Sequence, residues 1–279
     1  MISKQQHPFR GLNAYALIAF ALVLIGGCVS TPNVPPAARA EIASTGKLRV
    51  GLILSNQVFV TKDSSTGELR GVTINLGKAL AQRLGVPFQP VGYANPAALV
   101  KSFGTNEWDI TFLAYDPARA KDVDFSPPYM EVDNTYLVTA KSKVSAVEGA
   151  DRSEVTIAVS ERSVPDLFLS RNLKSAQILR LPGGAEAAIE ALTSGKADAY
   201  AENAHMLSLY ADRMPPGARV LEGRYTVIQH AVATPKGKIA ATEYLKAFVE
   251  EAKADGTVAE AIRVAGLRRT RVAAASHTK

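Results

Sequence analysis

Cysteine and histidine, the side chains most used as nucleophiles and metal ligands, are scarce in this chain. It has one cysteine, Cys28, and four histidines, His7, His205, His230 and His277, scattered without the spacing of metal ligands. No phosphate loop, nucleophile elbow or dinucleotide fingerprint occurs, and Pro182-Gly183-Gly184 is a plain turn. Polar groups gather instead where apolar, β-like runs end: Ala114 to Arg119, Ser160 to Ser163, and Glu202-Asn203. In open α/β sheets ligands sit beyond the carboxyl ends of the strands. Residues of these types offer hydrogen bonds and charge to whatever lies there.

The elements that must position these groups follow from periodicity. Lys47 to Leu54, Val86 to Val91 and Trp108 to Ala114 read as strands. Between them, Val72, Leu76, Leu80 and Leu84 mark one face of a helix that Gly85 stops, and Pro96 to Phe103 forms another. The order then repeats. Glu154 to Ser160, Ile178 to Leu181 and Ala197 to Ala201 are strands, separated by helices over Val164 to Asn172 and Gly184 to Ser194. Strand–helix alternation argues for α/β lobes, each a mostly parallel sheet flanked by helices. Two β-like links, Tyr136 to Lys143 and Tyr225 to Thr234, make a natural hinge. Lobe 1 is therefore discontinuous, 45–139 plus 231–267, and lobe 2 spans 140–230. Helices over Lys236 to Ala254 and from about Thr257 to Ala265 finish lobe 1, and residues 268–279 are expected to fray.

Residues 1–27 read as a signal peptide. Lys4 and Arg10 precede Ala14 to Ile25, an uncharged apolar run too short for a spanning helix, which needs roughly 20 residues. Ile25-Gly26-Gly27-Cys28 resembles a bacterial lipobox, which implies a lipidated Cys28 as first mature residue and an anchor in a membrane facing the periplasm. A lone cysteine has no internal disulfide partner. Residues 28–44, with three prolines in Val29 to Ala40, read as a flexible tether. Without Lys4 and Arg10 the chain keeps 30 basic and 26 acidic side chains, a net of +4. The cluster Arg268, Arg269 and Arg271 lacks a groove-reading motif or aromatic platform, so a solvated tail is expected and not a nucleic-acid partner.

From Lys47 to about Leu267 the chain resembles the periplasmic solute-binding proteins of the polar amino-acid type (family 3), which serve ATP-binding-cassette importers. Asp109 to Tyr129 (DITFLAYDPARAKDVDFSPPY) carries most of the likeness, supported by Gly67 to Gly71, Ala79 to Gly85 and Gly195 to Ala199. The resemblance implies the two-lobed type II periplasmic-binding-protein-like fold and binding of a small solute. It also implies a permease partner in the inner membrane, a monomer, no cofactor, no metal and no enzymatic activity.

Arg119 matches the family arginine that grips a ligand carboxylate, a role suited to a rigid fork that donates two parallel bonds. Ser163 matches the hydroxyl that helps hold the same group at a helix start, where N–H groups are free; it also suits an N-cap. Other positions depart from the family. Arg162 replaces a usual Gly and either adds charge to the cleft or points outward. Asn203 replaces an aspartate that pairs with the α-ammonium; Glu202 beside it is aimed elsewhere by strand alternation and reads as a solvated surface carboxylate. Ala114 replaces a Ser or Thr, and Thr73 and Asn75 replace two acids. Asn56 falls near a stacking aromatic whose role Phe59 or Tyr115 could take, and Asp116 joins the candidate contacts. Such a pocket keeps its grip on an anion and loses much of its grip on an ammonium, so the expected ligand is an organic anion or a weak zwitterion. Two rival readings stay open: a sensory or partner-binding lipoprotein, and a dehydratase-like enzyme using Glu202.

Overall fold

A computed structural model describes residues 34–182 and 184–276. The expected signal peptide and the lipidation site Cys28 lie outside the described residues. The chain enters through α1 (Pro36–Ile42) and β1 (Leu48–Ile53), then a hairpin of β2 (Thr61–Lys62) and β3 (Leu69–Arg70). Helix α2 (Val72–Leu84), β4 (Phe88–Tyr93), α3 (Pro96–Lys101) and β5 (Ile110–Ala114) follow. The long β6 (Val123–Val138) crosses to a second lobe. That lobe holds β7 (Thr156–Ser160), α4 (Val164–Asn172), β8 (Gln177–Leu181), α5 (Ala185–Thr193), β9 (Ala199–Asn203), α6 (Ala204–Ala211) and β10 (Arg219–Val220). Strand β11 (Thr226–Pro235) returns the chain, and α7 (Ile239–Ala254), α8 (Thr257–Val264) and β12 (Thr270–Val272) complete the first lobe.

The main sheet runs β4-β1-β5-β11-β6-β9-β7-β8. Strand β1 is parallel to β4 and β5, and β7 is parallel to β8 and β9. The crossing strands β6 and β11 are antiparallel to each other and to their neighbours β9 and β5. Parallel strands need both faces covered, and β5 (ITFLA) is buried at every position. Helix α2 packs its Val72, Leu76, Leu80 and Leu84 face inward and ends at Gly85 with φ 65°. Its entry is equally constrained: Gly71 has φ 132°, and a Cβ there would collide with the Phe59 carbonyl.

Two expectations about the ends are corrected. The segment 28–44 is not a tether throughout, because residues 36–42 form α1 with Ala38 and Ile42 buried. Pro36 occupies the first turn, where a missing N–H costs nothing, and Glu41 Oε2 accepts from Ala241 N of α7 at 2.9 Å. The segment 268–279 is not simply frayed: Thr270–Val272 pairs with Met130 to Val132 of β6. Two of its arginines are held by acids of β6, Arg269 by Asp133 at 3.7 Å and Arg271 by Asp133 at 2.8 Å and Glu131 at 2.7 Å. Arg224 also reaches Asp133, at 3.3 Å. Among the described residues no helix is long and apolar enough to cross a membrane.

Candidate functional site

Every parallel strand ends at one cleft. Ser55 and Asn56 follow β1, Ala94 and Asn95 follow β4, and Ala114 closes β5. From the second lobe come Ser160 to Pro165 after β7, Pro182 and Gly184 after β8, and Glu202-Asn203 at the end of β9. The cavity they enclose measures about 680 Å³, within the range of small-molecule sites.

On the first lobe, Arg119 lines the cleft from a single 3₁₀ turn, Arg119–Lys121. Its Nη1 donates to the Ala114 carbonyl at 3.0 Å, and among the described residues it forms no ion pair with an acid. Burial draws its pKa down, opposed by the charge of Asp116. A cation left unpaired there is available to an anionic guest. His230 on β11 lies beside it, paired in register with Ala114. Burial and the charge of Arg119 push this imidazole down to about 3, so it is neutral at ordinary pH. Among the described residues its Nδ1 has no hydrogen-bond partner, and its ring meets Phe59 edge-on with centroids 4.8 Å apart. Phe59 thus supplies the aromatic wall, whereas Tyr115 is half-exposed outside the cleft and packs on Phe125. Asn56 lines the cleft too, with Oδ1 accepting from Val58 N at 3.0 Å.

On the second lobe, Ser163 caps α4 by accepting from Asp166 N at 3.2 Å, and Asp166 Oδ2 accepts from the preceding residue's N–H, Arg162 N, at 2.9 Å. This two-way cap fixes the helix start against the cleft. Arg162 takes the left-handed conformation, φ 57°, a region that favours glycine. Its side chain stands largely in solvent at the rim.

Glu202 and Asn203 both line the cleft. Asn203 caps α6, its Oδ1 accepting from Met206 N at 2.9 Å. Its own N and Nδ2 both donate to Glu202 Oε1, each at 2.9 Å. Glu202 is therefore no solvated surface carboxylate: it lines the cleft, and burial pushes its carboxyl up against the lowering effect of the two Asn203 bonds. Strand alternation misplaced it because β9 runs to Asn203 and the side chain folds back onto the next residue's N–H groups. Asp116 is the second misplacement. It is buried outside the cleft lining, with Oδ1 accepting from Ala118 N and Oδ2 from Arg171. Thr73 and Asn75 also lie outside the lining, Thr73 donating to the Phe59 carbonyl. His230 was missed as a cleft residue; the apolar alternation of β11 was the one available signal.

A cleft between two lobes joined by a pair of crossing strands, its walls made of loops past the strand ends, defines a solute-binding protein of the type II periplasmic fold. The chain belongs to the bacterial extracellular solute-binding proteins, family 3, which it matches over residues 48–263. It is 26% identical over 254 residues to the ABC transporter glutamine-binding protein of Bacillus subtilis (strain 168), covering 86% of this chain and 92% of that protein. Likeness to the glutamine-binding protein of Geobacillus stearothermophilus is 25% over 246 residues, 79% of this chain and 90% of the relative. Among solved structures, an ancestral amino acid-binding protein described as a precursor of cyclohexadienyl dehydratase superposes with TM-score 0.68 at 28% identity, over 81% of this chain and 97% of that one. A variant of ArgBP from T. maritima gives 0.67 at 25%, over 81% and 98%.

Proposed function

We propose that the cleft captures an amino acid outside the cytoplasm and presents it to an ATP-binding-cassette permease in the inner membrane. The observation that carries this reading is one cavity with a guanidinium on one lobe, Arg119, and a carboxyl group on the other, Glu202. The ligand carboxylate sits at the Arg119 fork and the Ser163 end of α4, where the Val164 N–H, the Ser163 hydroxyl proton and the helix dipole favour an anion. The ammonium sits at Glu202, whose Oε1 is already committed to Asn203 and whose Oε2 is free for the guest. Ala114, Asn56 and Phe59 shape the wall around the remainder, and Arg162 adds charge at the rim. This narrows the expectation of an organic anion or a weak zwitterion to the zwitterion, because a carboxyl group, Glu202, lines the cleft one residue before Asn203. The names of the glutamine-binding relatives support the amino-acid class. The same reading has the protein held at a periplasmic membrane surface by lipid on Cys28.

The test is a thermal-shift screen of the protein against amino acids, each paired with its deaminated hydroxy acid and its carboxamide. A true ligand at about 100 times its dissociation constant adds roughly 2.7 kcal/mol. An amino acid should shift the melting point while both analogues fail. Equal shifts from the hydroxy acid would refute the part given to Glu202.

One observation favours a second reading, a lyase acting on a carboxylated substrate. The Glu202 carboxyl is raised as a general acid's would be, and one structural relative is described as a dehydratase precursor. Multiple-turnover loss of a cyclohexadienyl carboxylate would establish it; stoichiometric binding without turnover selects capture.

A further inference from the structure

Asp116 stands three residues before Arg119 and yet does not line the cleft. Its carboxylate is built for something else. Oδ1 accepts from Ala118 N at 2.8 Å and its carbonyl from Ala120 N at 3.0 Å, so the acid is fixed within the turn that presents Arg119. The other oxygen, Oδ2, receives Arg171 Nη2 at 3.1 Å. Arg171 belongs to the other lobe: it lies in the last turn of α4, the helix whose first turn, at Ser163, faces the cleft. The Asp116 side chain is 3% exposed and that of Arg171 52%. Eight residues separate Ser163 from Arg171, a distance of about 12 Å along a helix. One rigid helix thus carries a cleft contact at its start and a cross-lobe ion pair near its end. One turn of the first lobe likewise carries both the Arg119 grip and the partner of that ion pair.

We propose that Asp116 and Arg171 form a latch that makes no contact with ligand and holds the two lobes closed. Hinge rotation about β6 and β11 separates α4 from the Asp116 turn, so the pair exists only in the closed arrangement. Its contribution appears in the closed population and in how long a guest is retained. Arg119 and Ser163 are brought to their separation by the latch, which makes Arg171 and Asp116 positioning residues. Because Arg171 is half in solvent, the latch weakens with salt. Its existence does not depend on which solute the cleft takes.

The test measures lobe separation in the full chain. A Cys28→Ser background leaves no native cysteine, so spin labels at Lys101→Cys on α3 and Glu190→Cys on α5 report one cross-lobe distance by double electron–electron resonance. Asp116→Asn keeps the acceptor for Ala118 N, and Arg171→Met keeps the apolar stem. With no ligand added, each variant should lower the short-distance population about threefold or more, and the double variant no further than either single. Sodium chloride at about 0.5 M should do the same to the native protein and little to the variants. Melting points without ligand should agree within about a degree. Unchanged distance distributions overturn the latch. So do additive losses in the double variant, or a native protein that never shows the short distance, even with a mixture of amino acids. Failure of the amino-acid screen with the salt-sensitive short distance intact would overturn the ligand assignment and leave the latch standing.

Discussion

Replacing Arg119 separates recognition from stability. Most buried arginines are paired, and truncating them strands an acid. Arg119 has only the Ala114 carbonyl, at 3.0 Å, and no carboxylate within ion-pair distance among the described residues. Burial disfavours its charge, as the downward direction of its pKa records. Arg119→Ala should therefore leave the ligand-free melting point unchanged or slightly higher, since it removes a cation that is unpaired until a guest arrives. Binding is another matter. A hydrogen bond to a charged group contributes about 1.5–3 kcal/mol, and a fork makes two, so a net loss of about 3 kcal/mol is expected, on the order of a hundredfold in Kd. Arg119→Lys keeps the charge and loses the fork, costing about 1.5 kcal/mol, roughly tenfold. Calorimetric titration with the amino acid that most stabilises the native protein measures the binding; a ligand-free melt measures the rest. Affinity within twofold of native in Arg119→Ala, or a ligand-free melting point lowered by several degrees, would refute the argument.

Glu202 gives a pH dependence with two opposite signs. Its folded carboxyl titrates above the ordinary value, so ligand-free stability is highest below the unfolded value and falls as pH rises through the folded one; melts across pH, compared with Glu202→Gln, should show this slope only in the native chain. Affinity for an ammonium-bearing guest runs the other way, rising with pH through the same range, and calorimetry on Glu202→Gln should find weak binding without that rise. Arg162→Gly should relieve the left-handed backbone at φ 57° by about 1 kcal/mol, raising the melting point by roughly 2–4 °C and leaving affinity within about twofold. Asp133→Asn removes the charge that holds Arg224 and Arg271 at the crossing of the lobes. It should destabilise the ligand-free protein by about 1–2 kcal/mol in chemical denaturation.

Elements whose determinants are local could be read from the sequence. Helix α4 falls on Val164–Asn172, and α2 ends at Gly85, because an N-cap serine and a left-handed glycine announce themselves within a few residues. The grouping of Arg119, Ser163 and the Glu202-Asn203 end was legible for a different reason: strand–helix alternation sends every parallel strand's carboxyl end to one side. What escaped depends on partners distant in the chain. Helix α1 reads as proline-rich tether until α7 covers Ala38 and Ile42. Strand β12 reads as part of a charged tail until Asp133 and Glu131, more than a hundred residues earlier, receive its Arg271. The sequence places Asp116 in the segment that ends at the cleft, and only the cross-lobe position of Arg171 shows its different attachment. Glu202 was turned away by an alternation rule that ignores a side chain bonding to its own neighbour's N–H.

A crystal structure of the protein holding its bound solute tests the central claim most directly. The account predicts one small molecule between the lobes, its carboxylate within about 3 Å of the Arg119 guanidinium and its ammonium within about 3 Å of Glu202. A solute bound with its carboxylate turned toward the second lobe and away from Arg119, or one lacking any cationic group near Glu202, would contradict it.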